Sequence, residues 1–446
     1  MEIETKPGFG LATDEVKRRH ILPKALVVGL VAGVIASAFR FALQWVERAR
    51  LGWLQSLSPA WGLVVALAVG VVGGGLGVWL VRRFSPEAAG SGIPHLKSVV
   101  LGERTMNWRR VLPVKFLGGF LGIGGGLALG REGPTIQMGG ATGLMVAGWF
   151  RVRPGEGERK ALISAGAGAG LAAAFNAPLA GVIFVLEELQ GNFTPVVFVA
   201  AFLASVTADV VGRVLTGEMP VFPLREVMAP PLSALPVALL LGVLAGFGGV
   251  IFNRALLASL NAFDRIRHWP PFGAGALAGA FVGLAVWIYP GIAGSGGAMA
   301  ERALAGEIAL RWIPVLLFAR FAMTLVSYGS GAAGGIFAPL LVVGALGGLA
   351  LGGVGHYLAP GLVQHPQVFA VLGMGALLTA MVRAPLTAIV LMVELTGKYD
   401  YMLPLLACCL AAYGVAEWLG DVPIYEALRL RANRRDGIGL PAEPAQ

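Results

Sequence analysis

Apolar runs of similar length recur along the chain, at roughly 24–47, 61–81, 111–130, 195–215, 232–258, 272–289, 311–328 and 401–419. A helix that crosses a bilayer needs about 20 apolar residues, so each run is predicted to span. Between them lie apolar pieces that are too short or interrupted. Pro178 to Gln190 is thirteen residues long, and 160–174, 367–382 and 385–395 are similar. Short apolar helices bounded by Gly or Pro predict broken or re-entrant segments. A membrane tolerates these only where protein buries the free backbone or where it lines a cavity. The pattern therefore predicts a transporter or channel.

Composition narrows the class further. Charged residues make up only 13% and the apolar types 56%, against about 25% charged in a soluble domain. Disorder is excluded by the apolar content. Collagen is excluded because the 66 glycines have no three-residue period. What is left is an all-α polytopic membrane protein. Cys408 and Cys409 are adjacent in an apolar run, so neither a disulfide framework nor a zinc site is expected. The net charge of +9 comes from basic residues that flank spans: Lys17, Arg18, Arg19 and Lys24 before the first, Arg429, Arg431, Arg434 and Arg435 after the last. Basic flanks mark the cytoplasmic side, so both termini are predicted there, and no nucleic-acid partner is expected. Residues 1–24 are polar, so no secretory signal peptide is read.

Glycines at four-residue spacing predict close helix packing: Gly118, Gly122, Gly126 and Gly130; Gly275, Gly279 and Gly283; Gly344, Gly348 and Gly352. The proline-rich stretch 216–236 divides the chain nearly in half, and the two halves match. Gly29-Leu-Val-Ala-Gly33 aligns with Gly242-Val-Leu-Ala-Gly246, and Gly90-Ser-Gly92 with Gly294-Ser-Gly296. Lys115 pairs with Arg320, and Gly130-Arg-Glu-Gly-Pro134 with Gly335-Ile-Phe-Ala-Pro339, both at an offset of 205. Asn176-Ala-Pro-Leu179 pairs with Arg383-Ala-Pro-Leu386, and Glu187 with Glu394, at 207. An odd number of crossings per half inverts the second repeat and keeps both termini on one side. The predicted organisation is a cytoplasmic segment 1–24, a first membrane repeat 25–215, a linker 216–236, a second repeat 237–420, and a C-terminal helix and tail 421–446.

Three elements are each expected to open a helix inside the membrane: Gly90-Ser-Gly-Ile-Pro94, Gly130-Arg-Glu-Gly-Pro134 and Gly335-Ile-Phe-Ala-Pro339. Proline suits the first helical turn, where a missing N–H costs nothing. Such a turn leaves free N–H groups and a partial positive charge, so several converging termini bind an anion without a full cation. That favours transport, because tight binding would slow release.

These elements, with Phe175-Asn-Ala-Pro-Leu-Ala-Gly181 leading to Glu187-Glu188 and with Pro423-Ile-Tyr-Glu-Ala427, resemble the motifs of the CLC family of chloride channels and proton-coupled chloride transporters. The resemblance covers about residues 25–430. It implies two inverted repeats of broken and re-entrant helices, and a homodimer with one ion path per subunit. By motif position it implies an anion held by the hydroxyls of Ser91 and Tyr425 and by the N–H groups of Ile336 and Phe337. Glu132 is then the external gate and proton acceptor, and Glu188 the internal proton-transfer residue, with Glu187 the weaker candidate. Chloride and protons are the expected substrates, with no cofactor and no metal.

Two departures bear on coupling. His95 and Lys97 stand where many bacterial transporters of the family carry acidic residues, and a lysine beside Glu188 is able to pair with it. The alternatives are a passive chloride channel on the same fold and a fluoride-handling relative, which would depart from the first two elements. An intramembrane serine protease would need a Gly-x-Ser-Gly nucleophile that is absent here. The resemblance points to a multi-pass protein of the bacterial inner membrane. The chain runs only a short way past Tyr425, so the paired nucleotide-binding modules of eukaryotic relatives are not expected.

Overall fold

The computed structural model describes residues 8–155, 157–218, 221–222 and 228–438, with side chains from His20 onward. The side chains of Lys17, Arg18 and Arg19 and part of the 216–236 linker lie outside the described residues. Among the described residues there are 17 α-helices and no strand, only isolated backbone bridges. The first half holds α1 (Gly8–Ser56), α2 (Pro59–Phe84), α3 (Ile93–Leu101), α4 (Trp108–Gly124), α5 (Glu132–Trp149), α6 (Gly157–Phe175), α7 (Pro178–Phe184) and α8 (Pro195–Thr216). The second holds α9 (Leu235–Arg265), α10 (Pro271–Ile288), α11 (Gly297–Leu304), α12 (Ile313–Gly329), α13 (Phe337–Leu358), α14 (Pro366–Val382), α15 (Pro385–Thr396) and α16 (Met402–Trp418). A last helix, α17 (Ile424–Arg435), follows.

Among the described residues, eight helices are long and apolar enough to cross a membrane: α1, α2, α8, α9, α10, α12, α13 and α16. The predicted run 111–130 is corrected. Its helix α4 stops at Gly124, because Gly124-Gly-Gly126 breaks it and Gly126 takes φ +107°, open to glycine alone without strain. The stripe Gly118-Gly122-Gly126-Gly130 therefore leaves the helix halfway along. Residues 160–174 were also read too short. The charged turn Glu158-Arg-Lys160 is helical, so α6 runs unbroken for 19 residues. The stretch Phe337–Leu358 is a continuous helix of spanning length rather than only the opening of a broken one.

Four helices form the interior. Helices α6 and α14 are buried nearly all round, and α5 and α13 over most of their length. Their faces carry Ala and Gly on every side, which suits a helix with no exposed stripe. They pack as close pairs. A Cβ at Gly139 would lie 2.1 Å from the carbonyl oxygen of Gly166 on α6, and one at Gly344 would lie 2.5 Å from that of Gly373 on α14. In lipid such backbone contact replaces the hydrophobic drive between helices. The stripe Gly275-Gly279-Gly283 packs in the same way on Gly74, Gly70 and Ala66 of α2.

The sequence repeat has matching contacts. Lys115 Nζ donates to the carbonyls of Ala88 and Gly90, and Arg320 donates to those of Ile292 and Gly294, so each buried cation holds its own Gly-Ser-Gly loop. Asn176 and Arg383 both take positive φ just before their Ala-Pro-Leu segments. Carboxylates are exchanged between the halves. Glu394 accepts from the N–H groups of Leu179 and Ala180 at 3.0 and 2.7 Å, at the start of α7. Glu187 accepts from Leu386 and Thr387 at 3.1 and 2.8 Å, at the start of α15. Hydrogen bonds to a charged group are worth about 1.5–3 kcal/mol. Glu394→Ala is therefore expected to lower the melting temperature of the detergent-solubilised protein by several degrees, and Glu394→Gln by less. Equal melting temperatures for all three would show that these caps add nothing.

Candidate anion and proton site

The three predicted helix openings meet at the centre. Helix α3 starts at Ile93, α5 at Glu132 and α13 at Phe337, each one to three residues after its motif begins or ends its glycine turn. The strands of chain leading into α5 and α13 are stapled antiparallel: Gly130 N–H donates to Gly335 O at 2.7 Å and Gly335 N–H to Gly130 O at 2.8 Å. The loop leading into α3 joins them, with Gly90 N–H donating to Ala332 O and Gly334 N–H to Gly90 O. Gly90 and Gly92 take φ of +60° and +79°. A Cβ at Gly92 would fall 2.1 Å from Gln137 Oε1 on α5, so the loop lies directly on that helix. A Cβ at Gly133 would fall 2.9 Å from Cα of Ser91.

Ser91 is fully buried, and its hydroxyl accepts from the Ile93 N–H at 3.3 Å. Ile336 and Phe337 are buried at the head of α13, where the first-turn N–H groups have no carbonyl of a preceding turn to meet. Tyr425 lies in the first turn of α17, and its buried hydroxyl has no hydrogen-bond partner among the described residues. Tyr328, Glu188 and Glu132 are all within electrostatic reach of that hydroxyl. Helix α17, which carries Tyr425, packs on α3, and Ser91 lies against Gly133 at the head of α5. The two fully buried cations Lys115 and Arg320 are occupied with carbonyls, and buried Arg429 is paired with Glu426 and Glu103. The arrangement presents dipoles to an anion rather than a full charge.

Glu132 is 2% exposed at the head of α5. Its Oε2 lies against Gly130 and the start of α13, beside Ala338, and no donor completes a hydrogen bond to it. Arg131 is a long ion-pair partner, Nε to Oε1 3.8 Å, and gives its other bond to Ala174 O. The carboxyl thus lies at the mouth of the dipole array and is only loosely held by its neighbouring cation.

Glu188 is 5% exposed and sits in a π-helical turn, Val185–Gln190, that continues α7. Adjacent residues on a helical turn point about 100° apart, so the two carboxylates go different ways. Glu187 goes to the head of α15, as described, which gives it a structural partner and removes it from the path. Glu188 faces Lys97, Nζ to Oε1 2.9 Å. Lys97 also reaches Glu426 at 3.6 Å, and Glu426 pairs with Arg429, which pairs in turn with Glu103. One lysine therefore links the carboxylate on α7 to both α3, which begins beside Ser91, and α17, which begins beside Tyr425. His95 faces Gln137, Nδ1 to Nε2 3.4 Å, and does not meet Glu188.

Sequence reasoning missed Tyr328, whose hydroxyl lies 3.5 Å from the Ser91 N–H. At the offset of 205 its counterpart is Ile123, so the repeat offers no signal there. It also missed Glu426, which follows Tyr425 directly.

Broken helices whose N-termini converge on a buried centre define a membrane transport protein. A family profile described as voltage gated chloride channel matches residues 73–417. The chain belongs to that family, the CLC proteins. It is 41% identical over 430 residues to an H(+)/Cl(-) exchange transporter ClcA of Vibrio parahaemolyticus, covering 94% of this chain and 91% of the relative. It is also 41% identical over 438 residues to the ClcA exchange transporter of Vibrio cholerae, covering 96% and 92%. Among solved structures, a slow cyanobacterial Cl-/H+ antiporter superposes with a TM-score of 0.88 at 38% identity, covering 94% of this chain and 99% of the other. A CLC-type fluoride/proton antiporter superposes at 0.76 with 22% identity, covering 93% and 97%, a likeness of fold.

Proposed function

We propose that this protein is a proton-coupled chloride transporter that exchanges Cl⁻ for H⁺ across the membrane, and not an enzyme. The observation that carries this reading is the pair of buried carboxylates, Glu132 against the head of α13 and Glu188 paired with Lys97 of α3, the helix that opens beside Ser91. In this reading Ser91, Tyr425 and the N–H groups of Ile336 and Phe337 hold the anion. Glu132 closes the outer side of that position and opens when protonated. Glu188 passes protons from the inner solution. The family supports a homodimer with one path per subunit. The basic residues on α17 support both termini in the cytoplasm and a bacterial inner-membrane location.

The second reading is a passive chloride channel. One observation favours it: Lys97 engages Glu188 at 2.9 Å and so opposes its protonation. Liposomes with opposed chloride and proton gradients separate the two. An exchanger has a reversal potential that moves with both gradients, and a channel has one that follows chloride alone.

Ser91 tests the anion position. Its hydroxyl is able to give one hydrogen bond to a spherical halide, while proline gives none. Ser91→Pro is expected to shift the flux ratio from chloride towards nitrate by about tenfold, the equivalent of one charge-assisted hydrogen bond of ~1.5 kcal/mol. An unchanged chloride/nitrate ratio in folded protein would remove Ser91 from the site.

A further inference from the structure

A cavity of about 440 Å³ opens between the last turn of α2 and the first turns of α4. It is lined by Arg83, Arg109 and Arg110 together with Leu80, Phe84, Pro113, Val114 and Leu117. Its volume lies within the usual range for sites that hold a small organic ligand, and far above one water molecule. No acidic side chain lines it, and none of the three arginines has an ion-pair partner among the described residues. Arg83 and Arg109 lie only over the neighbouring rings of Phe84 and Trp108.

The surroundings do not neutralise this charge. Glu87, the acidic residue nearest in sequence to Arg83, accepts from the Asn107 N–H and lies outside the lining. The first turn of α4 contains no acid. Arg82 lies within electrostatic reach of Arg267 and Arg435, with Asp264 as the nearby acid, and Asp264 is already bonded to Arg431 at 2.5 Å. Three guanidinium groups without an ion pair among the described residues therefore line a largely apolar cavity between α2 and α4.

We propose that this cavity is a binding site for an anionic phospholipid. Its phosphate lies among Arg83, Arg109 and Arg110, and an acyl chain runs along Leu80, Val114 and Leu117. Planar guanidinium forks suit phosphate oxygens. The apolar wall favours a lipid over a free phosphate, which would gain nothing from it. With α1 starting in the cytoplasm and α2 returning there, the site faces the inner leaflet, where basic pockets between helices meet anionic headgroups. It is independent of whether the protein is an exchanger or a channel.

The test uses purified full-length protein in detergent, titrated with phosphatidylglycerol, with phosphatidylcholine of the same chains, or with inorganic phosphate, and read by native mass spectrometry and melting temperature. Each arginine near a headgroup contributes roughly a factor of five in affinity. Phosphatidylglycerol is therefore expected to bind at least about tenfold more tightly than phosphatidylcholine. Combining Arg83→Gln, Arg109→Gln and Arg110→Gln should bring that preference to within about twofold. Combining Arg153→Gln, Arg159→Gln and Lys160→Gln, an equal charge loss elsewhere on the same face, should leave it intact. Arg110→Gln alone, for which folding is less at risk, should lower it about fivefold. Equal binding of the two lipids, the same loss in both triple variants, or displacement of the lipid by millimolar phosphate would overturn the proposal.

Discussion

Glu132→Gln is expected to keep chloride flux running while proton movement falls to background. Two like charges about 4 Å apart repel by roughly 4 kcal/mol at an effective dielectric of 20, about a thousandfold in joint occupancy. A carboxylate at the head of α13 and a chloride ion in the same dipole array therefore exclude each other. Protonation removes the charge and lets the anion pass, so acid outside should speed turnover in the native protein. Glutamine has the shape of the protonated acid at every pH. In the variant the steep external pH dependence should flatten, and the reversal potential should fall on the chloride equilibrium value. Glutamine keeps the size of the acid and retains an oxygen that is able to accept, so the fold should survive. Uphill proton movement in folded Glu132→Gln would show that the outer gate is elsewhere.

The inner carboxylate should behave differently. Glu188→Gln is expected to abolish proton coupling while leaving most of the external pH response, since Glu132 remains. Lys97→Met probes the same step from the other direction. Protonating Glu188 in the native protein means giving up an ammonium 2.9 Å away, although Lys97 is able to turn to Glu426. With Lys97 removed, proton movement should persist to higher internal pH, by about one pH unit if the partly exposed pair is worth ~1.4 kcal/mol. Chloride flux at low internal pH should change little. If native liposomes move no protons against a chloride gradient, and neither variant alters the pH profile, then the passive channel is the right reading. Glu188 is in that case a charge at a helix end.

The broken-helix architecture was readable because Gly and Pro mark helix ends through backbone geometry alone. The openings at Ile93, Glu132 and Phe337 fall where the motifs place them, and the short pieces after Pro178 and Pro385 are short helices. Hydropathy was less informative at helix ends. It carried α4 through Gly124-Gly-Gly126, where the residues are apolar but the backbone turns, and it trimmed α6 at Glu158-Arg-Lys160, where the residues are charged but the helix continues. The repeat matched Lys115 with Arg320 but not their task, since the carbonyls they hold carry no side-chain signal. Glu187 and Glu188 are alike in sequence, and only their partners, the head of α15 for one and Lys97 for the other, separate a cap from a candidate proton carrier. Tyr328 was hidden because its counterpart is an isoleucine, and the repeat reveals only what both halves share.

The carboxylates exchanged between α7 and α15 also constrain the order of events at the ribosome. When α7 leaves the translocon, the acceptor for the Leu179 N–H lies 215 residues downstream and has not been made. At 5–20 residues per second that acceptor follows roughly 10–40 s later. During this interval the re-entrant α7 is a short apolar helix with bare donors in or near lipid, a state that costs several kcal/mol per unpaired group. Helix α15 faces no such delay, because Glu187 precedes it. The dependence therefore runs one way in time although the contacts are reciprocal in space. A substitution at Glu394 should act on the insertion of a segment translated long before it, and a truncation just short of Glu394 should leave α7 the more exposed to membrane proteases.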